Sequence, residues 1–144
     1  MRYSFITTFL LLLLLHANSQ VKDTIRLACP LQKGIMKSAT QDGYGYKADM
    51  KMIIASVTDT LVLSPVDGKV DLITAGADGK YEIVMHHKDY NIWLIGVSNL
   101  MVRKNDQIKK EQPVGKVKPG DEIEFLFFNG EEPINPEKLL SCKH

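Results

Sequence analysis

The sequence predicts an all-β sandwich or barrel. Short apolar alternations recur along the chain. Turn signals separate them at intervals of about ten residues, the spacing of consecutive strands in such folds. Few segments carry the apolar spacing of an amphipathic helix.

The elements follow in order. Asp42-Gly43 and Gly45 are turn residues ahead of a strand expected over residues 46–54. Thr58-Asp59-Thr60 is a turn by composition, and Leu61-Val62-Leu63 is a short strand running to Pro65. Asp67-Gly68 reads as a hairpin turn into a strand over residues 69–74. Ala77-Asp78-Gly79 turns the chain into residues 80–86, and residues 91–97 form another apolar run. Pro119-Gly120 precedes a strand over residues 121–128, which Asn129-Gly130 closes. One short helix is expected, over residues 136–140, with Pro136 in its first turn.

The first 19 residues read as an export signal rather than as structure. Arg2 supplies a positive start, residues 5–15 are apolar, and Ala17-Asn18-Ser19 has the small residues of a cleavage site. The apolar run is too short and wrongly flanked for a membrane span. The alternative is a retained signal anchor. The mature chain is expected to start near Gln20, with residues 20–144 forming one domain. No cysteine directly follows the apolar run, so a lipid anchor is not expected there. No second long apolar run follows, so no membrane span is expected after the signal is removed.

Charge argues against nucleic acid as a partner. The chain has 18 Lys and Arg against 17 Asp and Glu, and Arg2 leaves with the signal. The mature domain is therefore neutral and has no basic stripe to hold phosphates. Lys109, Lys110, Lys116 and Lys118 read as ordinary surface charge. The two cysteines, Cys29 and Cys142, lie near opposite ends of the mature chain. Export would place them in an oxidising compartment, periplasmic or extracellular, where a disulfide is expected. Two unpaired thiols are the alternative. No CxxC is present, so neither cysteine reads as a redox nucleophile.

Four stretches carry a family resemblance. Residues 85–100 (MHHKDYNIWLIGVSNL) resemble a segment that reads R-H-G-N-G-Y-x-T-x-Y-A-H-L-S-x-I in LytM/lysostaphin-type zinc endopeptidases. Residues 102–115 (VRKNDQIKKEQPVG) resemble the family's V-K-x-G-D-x-V-K-x-G-Q-x-I-G. Residues 64–70 (SPVDGKV) resemble A-P-A-D-G-x-V, and residues 127–136 (FFNGEEPINP) resemble the closing x-x-N-G-x-x-V-N-P. Together these cover about half of the mature chain, in the family's order. The resemblance implies a barrel-sandwich hybrid.

The resemblance also exposes what has been lost. The family's first metal motif, H-x-G-x-D, falls on Gly45-Tyr46-Lys47-Ala48-Asp49, which keeps only the aspartate. The catalytic histidine of Y-A-H-L falls on Gly96, and the closing H-L-H-F falls on Glu122-Ile123-Glu124-Phe125. The loop before that motif is shortened to Lys116-Val117-Lys118-Pro119. Zinc is expected in active relatives, but its ligands are not retained here. A catalytic zinc needs about three protein ligands and a bound water. Glu122 and Glu124, separated by one residue on a strand, share a face as two clamp histidines would. With Asp49 they could hold a hard cation; the plainer reading is two carboxylates on a solvated face.

Other candidates are weaker. His86 and His87 are adjacent on a strand and so point to opposite faces, unable to chelate one ion easily. Met50-Lys51-Met52 is similar to the M-K-M of biotin carrier domains, but an exported chain would not meet a cytosolic biotin ligase. Tyr44, Tyr46, Tyr90 and Trp93 could line a peptide or glycan groove. Tyr44 and Tyr46 flank the old metal motif and are the better groove candidates, while Trp93 is expected in the core. The resemblance and its losses imply a catalytically inactive domain that binds peptidoglycan or a cell-wall hydrolase. The alternatives are a divergent metallopeptidase acting through Asp49, Glu122 and Glu124, and a structural or adhesive envelope module.

Overall fold

The computed structural model describes residues 25–38 and 50–142. Among these, strands β1 (Ile35–Ser38), β2 (Lys51–Ala55), β4 (Gly68–Ala75), β5 (Tyr81–His87), β6 (Tyr90–Val97), β8 (Gln107–Ile108) and β10 (Glu122–Asn129) build a large sheet in the order β1-β2-β10-β6-β5-β4-β8. A short β11 (Glu132–Pro133) folds back on the end of β10. A second sheet runs β3 (Leu61–Leu63), β9 (Pro113–Lys116), β7 (Asn99–Leu100). Every paired strand is antiparallel to its neighbour.

Alternation along each strand gives the large sheet two different faces. Ile123, Phe125 and Phe127 of β10, Ile92 and Leu94 of β6, and Ile83 and Met85 of β5 are all fully buried. They form one apolar cluster with Ile54 of β2 and with Val62 and Val114 of the small sheet. This core fills the space between the two sheets, and the intervening residues of each strand occupy the outer face.

A clasp is repeated on either side of β8. Arg103 N–H donates to Asp106 Oδ2 (2.8 Å), and Asp106 N–H donates to the Arg103 carbonyl (3.1 Å). Lys109 N–H donates to Gln112 Oε1 and Gln112 N–H returns to the Lys109 carbonyl, both at 3.0 Å. The first turn exchanges backbone hydrogen bonds with Val70 through Asn105 and Asp106. The second makes the same exchange with Ser64 through Glu111 and Gln112. Asn105 (φ 74°) and Glu111 (φ 66°) hold the left-handed conformation that each clasp needs. These are the two positions where the V-K-x-G-D-x-V-K-x-G-Q pattern has glycine.

The chain ends are tied together. Leu27 N–H donates to the Leu139 carbonyl, Ser141 N–H donates to the Leu27 carbonyl, and Leu27 and Leu140 form a parallel bridge. Beside them Cys29 and Cys142 form a disulfide spanning 113 residues of sequence. In the chain-entropy view, a loop of this length stabilises the fold by about 5 kcal/mol.

Three expectations need correction. Asp67-Gly68 is not a hairpin turn: β3 and β4 lie in different sheets, and the dipeptide is the corner between them. Asp67 Oδ1 accepts the Lys110 N–H there, and Gly68 lies so close to the His86 carbonyl that a Cβ would collide with it. The helix expected over residues 136–140 is one turn, with Leu139 and Leu140 N–H both reaching the Pro136 carbonyl. A single turn is a poor helix nucleus, and Leu140 is taken up by its bridge to Leu27. Trp93 is not in the core. Its neighbours Ile92 and Leu94 face inward, so Trp93 must face outward, where it is half-buried with its ring 5.7 Å from that of Phe128. Tyr90 has the inward parity instead and stacks on Phe127 at 5.0 Å.

Candidate functional site

The strand registers set the outer face of the large sheet in rows. One row reads Lys37, Ile53, Glu124, Ile95, Glu82 and Thr74 across β1, β2, β10, β6, β5 and β4. The next reads Lys51, Leu126, Trp93, Val84 and Leu72. Glu122 sits on the other side of the Glu124 row, opposite Ala55. Glu122 and Glu124 therefore do share a face. Of the remaining candidates, Tyr44, Gly45, Tyr46 and Asp49 lie outside the described residues.

Each carboxylate is joined to a lysine. Lys51 Nζ donates to Glu124 Oε2 at 3.0 Å, and Lys37 Nζ donates to Glu122 Oε1 at 2.6 Å. The pairs differ in setting. The Lys51 side chain is only 8% exposed against 40% for Glu124, whereas Lys37 and Glu122 are 54% and 44% exposed. Lys51 reaches Glu124 diagonally across adjacent strands. Lys37 must cross over the intervening β2, a span of about 10 Å between strand axes that a lysine stem can largely bridge. Lys51 is the first residue of β2, and its ammonium is engaged by Glu124.

The position of the family's catalytic histidine is closed to any side chain. Opposite Tyr81 and Glu82 the β5–β6 register slips by one residue, leaving Gly96 as the extra residue of a bulge. Gly96 has φ 101°, and a Cβ built there would stand 2.7 Å from the Glu122 carbonyl oxygen. Both the backbone conformation and the space require glycine.

His86 and His87 are engaged separately. His86 Nδ1 is 3.0 Å from Asn91 Oδ1, while His87 Nδ1 bonds to the Asp67 carbonyl. Among the described residues, no group of three or more His, Cys, Asp or Glu side chains is placed to hold a metal ion. Of the positions that the resemblance aligns with the family's metal and catalytic histidines, those among the described residues do not fit zinc: Glu122 and Glu124 are bound to ammonium groups, and Gly96 offers no side chain.

A polar cleft of about 430 Å³ opens beside Gly96 and Glu122, lined by Asp78, Lys80, Ser98, Asn99, Lys118 and Asp121. Asp121 organises it. Its carboxylate accepts the Lys118 N–H at 3.2 Å and the Ser98 hydroxyl at 3.4 Å, and Lys80 Nζ lies 3.5 Å away. The Lys118 backbone bond, with Lys80 and Ser98 adding to it, holds the Asp121 carboxyl below the ordinary carboxylate value. Glu82, in the row of Glu124, is pushed up by burial. Nothing in the sequence pattern marked Lys37 or Asp121, and Lys51 stood out only within Met50-Lys51-Met52; the two lysines act through carboxylates on β10, and Asp121 acts through Lys118, Ser98 and Lys80 together.

The two-sheet, all-β architecture is that of LytM/lysostaphin-type domains. Residues 50–136 match Peptidase family M23, and the chain belongs to that family. Helicobacter pylori Csd3 has a similar structure, with a TM-score of 0.68 and 20% identity over 83% of this chain and 34% of that one. A chain of the SpoIIQ–SpoIIIAH pore-forming complex is similar at a TM-score of 0.64 and 16% identity, covering 81% of this chain and 92% of that one. Lysostaphin is similar at 0.59 and 16% identity, covering 77% and 51%. This chain thus spans about a third of the length of the Helicobacter protein. No curated protein matches the sequence. Among the described residues, no helix is long and apolar enough to cross a membrane.

Proposed function

We propose that this chain is an exported, non-hydrolytic member of its family that acts by binding peptidoglycan or a cell-wall hydrolase. The observation that carries the reading is Gly96: the position of the catalytic histidine has a backbone that accepts no side chain. The lysines on Glu122 and Glu124 add to it, since carboxylates already paired to ammonium groups are poor metal ligands. Export by residues 1–19 accords with the disulfide, which belongs to an oxidising compartment. The same fold occurs in a chain of the SpoIIQ–SpoIIIAH complex, so it can serve in a protein assembly without an enzymatic role being implied.

Digestion of purified peptidoglycan by the mature chain with zinc supplied, read by mass spectrometry of released peptides, tests the loss of hydrolysis. No new cross-link cleavage is expected, together with retention on the insoluble polymer or co-purification with a hydrolase. Zinc-dependent cleavage would return the role to a divergent peptidase working through Asp49, Glu122 and Glu124. Tyr44 and Tyr46 are the proposed contacts for the bound partner, and loss of retention in Tyr46→Ala would support that assignment.

A further inference from the structure

We infer that lysine has taken the place of metal in this protein: Lys51 is the resident cation of the Glu124 position, and Lys37 that of Glu122. The two carboxylates stand where the family pattern has its H-x-H clamp. What each of them binds is an ammonium nitrogen, at 3.0 Å and 2.6 Å. A divalent ion at Glu124 would have to displace a cation that is covalently fixed to β2 and itself almost wholly buried.

Two physical terms oppose that exchange. The Lys51 ammonium cannot swing freely into water, because its stem is enclosed and its charge would lose Glu124 without gaining full hydration. An incoming divalent ion would also sit beside that ammonium, and like charges a few ångströms apart in a partly desolvated site repel strongly. The fold therefore neutralises the carboxylates internally, and its integrity does not depend on metal. The inference goes beyond the proposed binding role and can fail independently of it.

Terbium, an oxygen-seeking stand-in for calcium, tests this with Trp93 as built-in sensitiser. Trp93 lies in the Lys51 row, two strands away, a distance of about 10 Å. The folded wild-type protein is expected to give no sensitised emission that Glu124→Gln removes, and its melting temperature should be the same in chelator, zinc or calcium. Lys51→Met, combined with Lys37→Met, is expected to bind terbium at least about tenfold more tightly than wild type, with Glu124→Gln reversing the gain. Wild-type terbium or zinc binding that depends on Glu124 would overturn the inference. So would a folded double variant that gains no affinity. If that variant does not fold, the wild-type titration and the single Lys37→Met variant still decide. Peptidoglycan cleavage without metal at Glu124 would sink the proposed function and leave this inference standing. Glu124-dependent metal binding without cleavage would do the reverse.

Discussion

The two clasps at residues 103–112 and the bulge at Gly96 have departed from one family pattern in opposite directions. In the clasps the pattern's glycines have become Asn105 and Glu111, yet the left-handed backbone remains. At the bulge the pattern's histidine has become a glycine, at φ 101°. The clasps are held by hydrogen bonds from the turn's own side chains and from the strands they grip, so the backbone is over-determined and tolerates a costly residue. At the bulge it is the backbone, at φ 101° and packed against the Glu122 carbonyl, that admits no side chain. Scaffold geometry and site chemistry are thus separable in this fold.

The largest expected effect tests that exclusion. Gly96→His should destabilise the domain by about 3 kcal/mol or more, since it adds a β-carbon against the Glu122 carbonyl at a φ that L-residues avoid. Urea unfolding measures it. A variant as stable as wild type would mean that the bulge can relax, and the contrast with the clasps would disappear.

The second test compares the two ion pairs. Glu124→Ala takes a partner from the nearly buried Lys51 and should cost about 1–3 kcal/mol, while Glu122→Ala, at an exposed pair, should cost about 0.5 kcal/mol or less. Equal losses in thermal melts would show that burial of Lys51 does not set the hierarchy. Next, Glu111→Gly should raise stability by about 0.5–1 kcal/mol, as relief of left-handed strain exceeds the added chain entropy. Asn105→Gly should do less, because asparagine tolerates that region better.

The smallest effect depends on pH. The folded-state value of Asp121 lies below its ordinary 3.8, so the folded protein binds fewer protons there than the unfolded chain does. Its contribution is fully present above that ordinary value and fades as pH falls through the folded value. Asp121→Asn should therefore melt below wild type near neutrality, with the two curves converging in acid. A gap that persists in strong acid would assign the loss to altered hydrogen bonding instead of charge.

Much of the scaffold was legible in the sequence. Strands expected at 69–74, 80–86, 91–97 and 121–128 match β4, β5, β6 and β10 to within one residue at either end. Period-two patterning and the glycine-bearing turns are local signals, and they suffice for this. The same patterning assigns Trp93 outward, since Ile92 and Leu94 cannot share its face; size alone suggested the core. The shared face of Glu122 and Glu124 was also local, a matter of spacing. Their lysines were not, because pairing Lys37 with Glu122 requires knowing that β1, β2 and β10 lie side by side. Asp67-Gly68 misled for a similar reason: a corner between sheets and a hairpin use the same residue types.

The position of β10 has a consequence for the order of events during synthesis. Strand β2 emerges early, yet its partner across Met52 and Phe125 is made some seventy residues later. Until then the two halves of the large sheet have no common strand, because β10 is what joins β1 and β2 to β6, β5 and β4. Such non-local closure is slow and leaves strand edges open meanwhile. Cys142 follows β10 in the chain, so every strand of the large sheet has been made before the disulfide can form. A chain truncated before residue 122 should accordingly be protease-sensitive throughout, and the chain extended to residue 142 should be resistant as one unit.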